Sequence, residues 1–182
     1  MRYLIVCGGK IDKEFGLNEI KTDGIDAIIA ADSGMDFLYE NGVTPDIIVG
    51  DFDSTTTNAL EYFERKGQTE IRRLNPIKDD TDTEYAIRLA ISEGARSIVL
   101  LGATGSRIDH VLGNISLLGI GLESGTDISI IDTNNRIRMA DKPVTIEKSA
   151  QYGRFVSLIA LTDDNEVSLK GFKYPVTDYS FD

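Results

Sequence analysis

The sequence predicts an α/β protein: a mostly parallel sheet with helices on both faces, followed by a smaller antiparallel β unit. Three observations carry that prediction. Short apolar runs rich in Ile, Val and Leu recur through the first part of the chain, and runs that are apolar at successive positions suit strands covered on both faces. Helix-like segments lie between them, and strands alternating with helices imply a parallel sheet. After Gly125 the rhythm changes to successive strand patterns separated by turn residues, with no helix-length gap.

The strand candidates are "YLIVCG" from Tyr3, "AIIAAD" from Ala27, "DIIVGD" from Asp46, a weaker "EIRRL" from Glu70, and "SIVLLGA" from Ser97. Between them "GMDFLYENG", "TTNALEYFERKG", "TDTEYAIRLAISEG" and "IDHVLGNISLLGIGLESG" read as helices, each closing on a glycine, a common helix C-terminal signal. Beyond Gly125, "DISIIDTNNRIRMA", "PVTIEK", "YGRFVSLIALT" and "NEVSLKGFKYPV" are strand candidates, with "DTNN" before Arg136 and "TDDN" before Glu166 as hairpin turns. The expected domains are 1–124 and 125–182.

At 182 residues with 41% hydrophobic composition, the chain can bury one sizeable core or two small ones. Thirty acidic against 19 basic residues leave a net charge of -11, which argues against a nucleic-acid surface, since phosphate backbones demand clustered Lys and Arg. Cys7 is the single cysteine, which excludes a disulfide framework and a Cys-rich zinc site and suits a reduced cytoplasmic setting. The apolar stretch of "MRYLIVCGGK" is short for a signal peptide, and no later run approaches a membrane span, so neither a membrane nor a nucleic acid is an expected partner.

In an open α/β sheet, ligands bind beyond the carboxyl ends of the strands. There the chain places Gly8-Gly9-Lys10, Asp32-Ser33-Gly34, Gly50-Asp51-Phe52-Asp53-Ser54 and "GATGSRIDH" from Gly102. In extended backbone Asp51 and Asp53 share one side while Phe52 faces the other. A helix cap explains Asp53 and Ser54, and a solvated loop explains Asp51. Two like charges on one side, however, suit a cation between them, and magnesium is held by one or two carboxylates together with phosphates and water.

In "KDDTDTEYAI", Thr81 and Glu84 match a capping box, and Asp82 in the first turn favours the helix dipole. That account leaves Asp79, Asp80 and Asp82 crowded together, so metal or hydroxyl contacts from Asp82 and a phosphate contact from Lys78 are candidates. In "GATGSRIDH" the glycines allow close backbone approach, free N–H groups at the helix start face an anion, and Arg107 offers a planar donor fork. The alternative there is a tight turn closed by an Arg107–Asp109 ion pair. Neither a Walker sequence nor a G-x-G-x-x-G is present. His110, the lone histidine, excludes multi-histidine metal sites and reads as a hydrogen-bonding group of the first helical turn.

Together "ADSG" from Ala31, "PDIIVGDFDS" from Pro45, "KDDTDTEYAI" from Lys78, "GATGSRIDHVLGNI" from Gly102 and "LKGFKYPV" from Leu169 resemble the bacterial thiamine pyrophosphokinase family across nearly the whole chain. The resemblance implies pyrophosphoryl transfer from ATP to the hydroxyethyl oxygen of thiamine, giving thiamine diphosphate and AMP with magnesium. It also implies a homodimer, with an α/β nucleotide domain and a β-sandwich that helps form the thiamine site between subunits.

Carried over by motif, Asp51, Asp53 and Asp82 hold magnesium, Asp32 lies at the active-site edge, and Arg107, Asp109 and His110 lie near phosphates and nucleotide. Lys78 and Thr81 match substrate-contact positions. Gly8, Gly9, Ser54, Gly102, Thr104 and Gly105 match nucleotide-binding ones. Asp82 and Asp109 both stand as acceptors of the thiamine hydroxyl proton.

Two departures accompany the resemblance. Ser106 stands where the family commonly has a second glycine, and the family's later strands with a Ser-Asn motif that contributes to thiamine binding do not occur within the 182 residues. A nucleotide-binding module without turnover and a magnesium-dependent phosphohydrolase are the readings set against the transferase.

Overall fold

Alternation along the first strand sets the layering. β1 (Arg2–Val6) sends Tyr3 and Ile5 into one apolar cluster and Leu4 and Val6 into another, so both faces of the sheet are covered. The computed structural model describes residues 1–52, 58–75, 80–105, 107–163 and 165–181. After β1 come α1 (Lys13–Ile20), β2 (Ala27–Ala31), α2 (Gly34–Glu40), β3 (Ile47–Gly50), α3 (Ala59–Lys66), β4 (Glu70–Arg73), α4 (Asp82–Ser92) and β5 (Ser97–Leu101). Then follow α5 (Ile108–Leu117), α6 (Gly119–Ser124), β6 (Asp127–Ile131) and β7 (Arg136–Arg138).

These strands form a seven-stranded sheet in the order β4-β3-β2-β1-β5-β6-β7. All neighbours are parallel except β7, which runs antiparallel to β6. The chain moves outward from β1 to β4 on one side and then returns to the other side of β1 with β5. The β1/β5 boundary is therefore the topological switch point, where α/β sheets open a crevice beyond their carboxyl ends. One face packs Ala86, Ile87, Leu89 and Ala90 of α4 with Leu118. The opposite face packs Met35 and Leu38 of α2 with Ala59 and Phe63 of α3.

The mostly parallel sheet matches the expectation, and α3 and α6 end on Gly67 and Gly125 in the left-handed conformation that glycine adopts at no steric cost. Three details differ. No helix was read over α1, whose interior Gly16 and weak apolar stripe give little periodic signal; Asp12 caps it by accepting from Phe15 N at 2.9 Å. The last helix candidate divides at buried Leu118, where Gly119 and Gly121 weaken helix propagation. And β6, expected to open the antiparallel unit, adds to β5 in parallel over Ser97↔Asp127 to Leu101↔Ile131.

The chain divides into compact units at Tyr152/Gly153, so the first unit runs past the boundary read at 124/125. "DISII" is fully buried after Asp127, and burial on both faces is available to it only on the parallel sheet. The "DTNN" hairpin forms as expected, joining β6 to β7. Within residues 153–182, β8 (Asn165–Leu169) and β9 (Val176–Phe181) pair antiparallel, with a register irregularity between Val167 and Leu169. "PVTIEK" and "YGRFVSLIALT" belong to no ladder, and a 3-10 turn, Lys148–Ala150, begins on the last residue of the first. Alternation marks an extended chain, but a strand also needs a neighbour for its N–H and C=O groups.

Candidate active site

Three acids meet at the carboxyl ends of β2 and β3. Asp32 follows β2, Asp51 follows β3 and Asp82 opens α4, and each offers a carboxylate oxygen within 4.8 Å of the others. Backbone geometry builds this meeting: Asp32 N donates to Val49 O at 2.7 Å, locking the end of β2 against β3. Asp32 then takes φ 49, a left-handed turn that aspartate tolerates better than most residues. Gly34 follows because β1 passes so close that a Cβ there would lie 1.9 Å from Val6 O.

Phe52 does not continue the strand. Its φ is 64, so the bend after Asp51 comes from a left-handed residue rather than from simple alternation. Its ring packs against the cluster of Leu4, Val6 and Ile48, and the Arg73 guanidinium lies 5.4 Å from the ring centroid. Phe52 thus anchors the turn, as a positive φ at a bulky residue requires. Asp53, Ser54 and Lys78 fall outside the described residues. Asp32, read from sequence as an edge residue, joins the acid cluster instead.

On the other side of the switch point, two glycine turns interlock. Cys7 N donates to Leu101 O at 2.7 Å and Gly9 N to Gly102 O at 2.9 Å. A Cβ on Gly9 would lie 2.3 Å from Gly102 O, so the loops after β1 and β5 touch through backbone alone. Gly8 sits beside Gly9 on this edge, and Thr104 and Gly105 continue the second loop. Asn114 of α5 holds that loop from behind, donating Nδ2 to Ala103 O at 2.8 Å.

Arg107 precedes α5 and forms the ion pair set out as the alternative. Its Nη2 lies 2.6 Å and its Nε 3.2 Å from the Asp109 carboxylate. The side chains are 67% and 64% exposed, so the pair is open to solvent and contributes little to stability. Its electrostatic effect is local: the Arg107 hydrogen bond holds the Asp109 carboxyl down at about 2 and in turn raises Arg107. His110 is exposed in the same helical turn.

Thr81 acts as a cap, accepting from Glu84 N at 3.1 Å. The Glu84 carboxylate accepts from Arg88 Nε and Nη2 at 2.9 and 2.7 Å, so that side chain serves an i,i+4 pair on the helix face. Asp82, next to the cap, places its charge at the helix N-terminus. The buried Cys7 thiol interacts with the next residue of this helix: burial pushes it up to about 11 while a Thr83 hydrogen bond acts the other way. Such a thiol is inert.

Two contributors went unread in the sequence. Asn114 lies inside a recognised motif, where its spacing to Ala103 gave the available signal. Asp132 was read only as a turn residue. It accepts from Thr104 Oγ1 at 2.8 Å, from Asn134 N at 2.8 Å and from Asn135 N at 2.7 Å, so it fixes the β5–α5 loop and its own turn together. Burial pushes its carboxyl up, but the bonds from Asn134, Thr104 and Asn135 outweigh that and leave it lowered.

The arrangement can hold a hard cation on Asp32, Asp51 and Asp82 beside a backbone-lined crevice. Comparison with known proteins agrees with that chemistry. Residues 21–130 match the family model "Thiamin pyrophosphokinase, catalytic domain", and residues 143–182 match "Thiamin pyrophosphokinase, vitamin B1 binding domain". Thiamine pyrophosphokinase of Bacillus subtilis (strain 168) is 36% identical over 152 residues, spanning 82% of this chain and 70% of the relative.

A crystal structure of the thiamine pyrophosphokinase from Bacillus subtilis superposes with TM-score 0.85 at 33% identity, covering 99% of this chain and 84% of that one. For the thiamin pyrophosphokinase structure from Geobacillus thermodenitrificans, the TM-score is 0.74 at 26% identity, with 100% and 83% covered. On motif, sequence and fold alike, the chain belongs to the thiamin pyrophosphokinase family of enzymes.

Proposed function

We propose that this enzyme makes thiamine diphosphate by moving the pyrophosphoryl group of ATP onto the hydroxyethyl oxygen of thiamine, with release of AMP. The observation that carries the reading is the convergence of Asp32, Asp51 and Asp82 at the strand ends of a chain from this family. An all-carboxylate donor set fits magnesium, which prefers oxygen ligands, and Asp53 of the same sequence motif is a fourth candidate. When bound, magnesium supplies charge neutralisation on the phosphate oxygens.

The chain's own residues do the positioning, which is most of what phosphoryl-type transfer asks of a protein. The thiamine oxygen attacks the β-phosphorus, a new P–O bond forms, and the bond from that phosphorus to the α-phosphate bridging oxygen breaks, so AMP leaves. Arg107 and Lys78 balance phosphate charge. The hydroxyl proton passes to Asp82 or Asp109, the two carboxylates carried over as acceptors. A homodimer and a cytoplasmic setting accompany this reading, as the resemblance implies.

Product identity tests it. Incubation with ATP, magnesium and thiamine is expected to yield AMP and thiamine diphosphate in equal amounts. ADP would mean ordinary kinase chemistry, free phosphate hydrolysis, and no turnover a binding module. Asp51→Asn is expected to lower turnover by roughly 10²- to 10³-fold while circular dichroism stays unchanged. Magnesium should raise the melting temperature of the parent chain and not that of the variant; equal responses would remove Asp51 from the metal site.

A further inference from the structure

Two successive arginines close the edge strand β4, and alternation sends them to opposite faces of the sheet. Arg72 turns to the α4 face, where its Nη2 donates to Glu93 Oε1 at 3.1 Å and its Nε to Glu70 Oε1 at 2.6 Å. Glu93 caps the C-terminus of the helix that Asp82 opens, so Arg72 helps to seat that helix. Arg73 turns to the α3 face, donates from Nη2 to Glu64 Oε1 at 2.5 Å, and lays its guanidinium over the Phe52 ring. The Arg73–Glu64 side chains are 59% and 44% exposed, and an ion pair so open to water adds little to stability.

We propose that Arg73 is a positioning residue for the metal site, acting through Phe52 to hold the Asp51 carboxylate toward Asp32 and Asp82; the inference rests on the reading proposed above. Strain is the first argument. Phe52 takes φ 64, a conformation that a bulky residue keeps only where its surroundings over-determine it. What surrounds it is close at hand: a Cβ built on Gly50 would lie 3.1 Å from Phe52 Cε1 and 3.2 Å from the Cα of Asp32. The ring thus folds back onto bare backbone beside the second acid of the cluster.

Register is the second argument. Gly50 pairs directly with Arg73, and Leu74 N donates to Gly50 O at 2.9 Å, which carries the β3–β4 ladder up to the turn. The guanidinium over the ring is therefore anchored at both ends, by the ladder and by Glu64. Asp51 stands between Gly50 and Phe52, so the direction of its side chain follows from how those two are held. Charge is the third argument. A guanidinium at the same strand ends as three carboxylates opposes the binding of a dication, so any help it gives the site comes through geometry.

Magnesium binding to the full chain without nucleotide, read by titration calorimetry, tests the proposal. Arg73→Met keeps the reach of the side chain and removes the cation. It is expected to weaken magnesium binding by about tenfold, the scale on which metal affinity falls when a group that orients a ligand is lost. Simple loss of a positive charge would tighten binding instead. Arg73→Lys, which keeps a cation for the ring, should recover most of the affinity. Phe52→Leu removes the ring without changing charge and should weaken binding as well; in that background Arg73→Met should add nothing, because the ring it acts through is gone. The melting temperature of Arg73→Met without magnesium is expected to match that of the parent.

Unchanged or tighter magnesium binding in Arg73→Met overturns the proposal, and so does full additivity in the double variant. A rise in KM for ATP with magnesium binding unmoved would make Arg73 a phosphate contact and overturn it equally. Asp51→Asn separates the two failures. If it abolishes magnesium binding while Arg73→Met leaves it intact, the positioning role falls and the metal site stands. If parent and Asp51→Asn respond to magnesium alike, the metal site falls and the role of Arg73 with it.

Discussion

In the seven-stranded unit Leu4, Ile5, Val6, Ile29, Phe63, Ile98 and Leu100 are all but sealed from water, whereas none of the described residues after Ile131 is buried. Phe155 is 83% exposed and Ile159 81%. The first unit carries a core on each face of its sheet; the second consists of one hairpin and extended chain, and an isolated two-stranded hairpin is marginal in water. The contrast teaches where precision comes from. Acids held within 4.8 Å of one another need strand ends that cannot drift, and only the first unit supplies them. Exposed apolar side chains as dense as those of the second unit suit a surface that other protein covers, which accords with the proposed homodimer.

Paired core substitutions would break this comparison most directly. Ile5→Ala is expected to cost about 2–5 kcal/mol in urea unfolding, because Ile5 is fully enclosed. Ile159→Ala should shift stability by no more than about 0.5 kcal/mol. A comparable loss at both positions would show that the second unit has a core of its own after association. Thr81→Ala sharpens the comparison within the first unit: losing the cap is expected to cost about 1 kcal/mol. If KM for either substrate also rises, Thr81 serves the site as well as the helix.

The smallest effect is electrostatic. Asp109 should titrate near 2 by NMR, and Arg107→Ala should return it toward 3.8. A carboxyl depressed on folding stabilises the protein above its ordinary range, and that contribution is lost as pH falls through the folded value. The Arg107–Asp109 contribution is therefore intact at neutral pH and disappears only between about pH 4 and 2. An unshifted Asp109 in the parent chain would mean that Arg107 points elsewhere in solution.

Much of this was legible because local and global signals agree. Apolar runs without alternation announced buried strands, and glycines closed the helices at Gly67 and Gly125. The acids could be listed from strand ends alone. Their grouping could not: Asp32 joins Asp51 and Asp82 because β2 neighbours β3 and Asp32 N reaches Val49 O, a long-range fact without local signature. Asp132 stayed hidden for a similar reason, since its partner Thr104 lies 28 residues away and a turn aspartate ordinarily serves its own backbone. Strand-like "PVTIEK" misled because alternation reports an extended chain and says nothing about a pairing partner.

The backbone contacts at Gly9 and Gly34 have a practical consequence for anyone wishing to engineer this enzyme. With Gly102 O 2.3 Å from a Cβ built on Gly9, and Val6 O 1.9 Å from one on Gly34, even alanine forces main chain apart. A randomised library spread over these motif positions would consist chiefly of misfolded members. Diversity placed instead at Thr133 and Asn134, exposed residues of the β6–β7 turn, would leave the main-chain joint untouched.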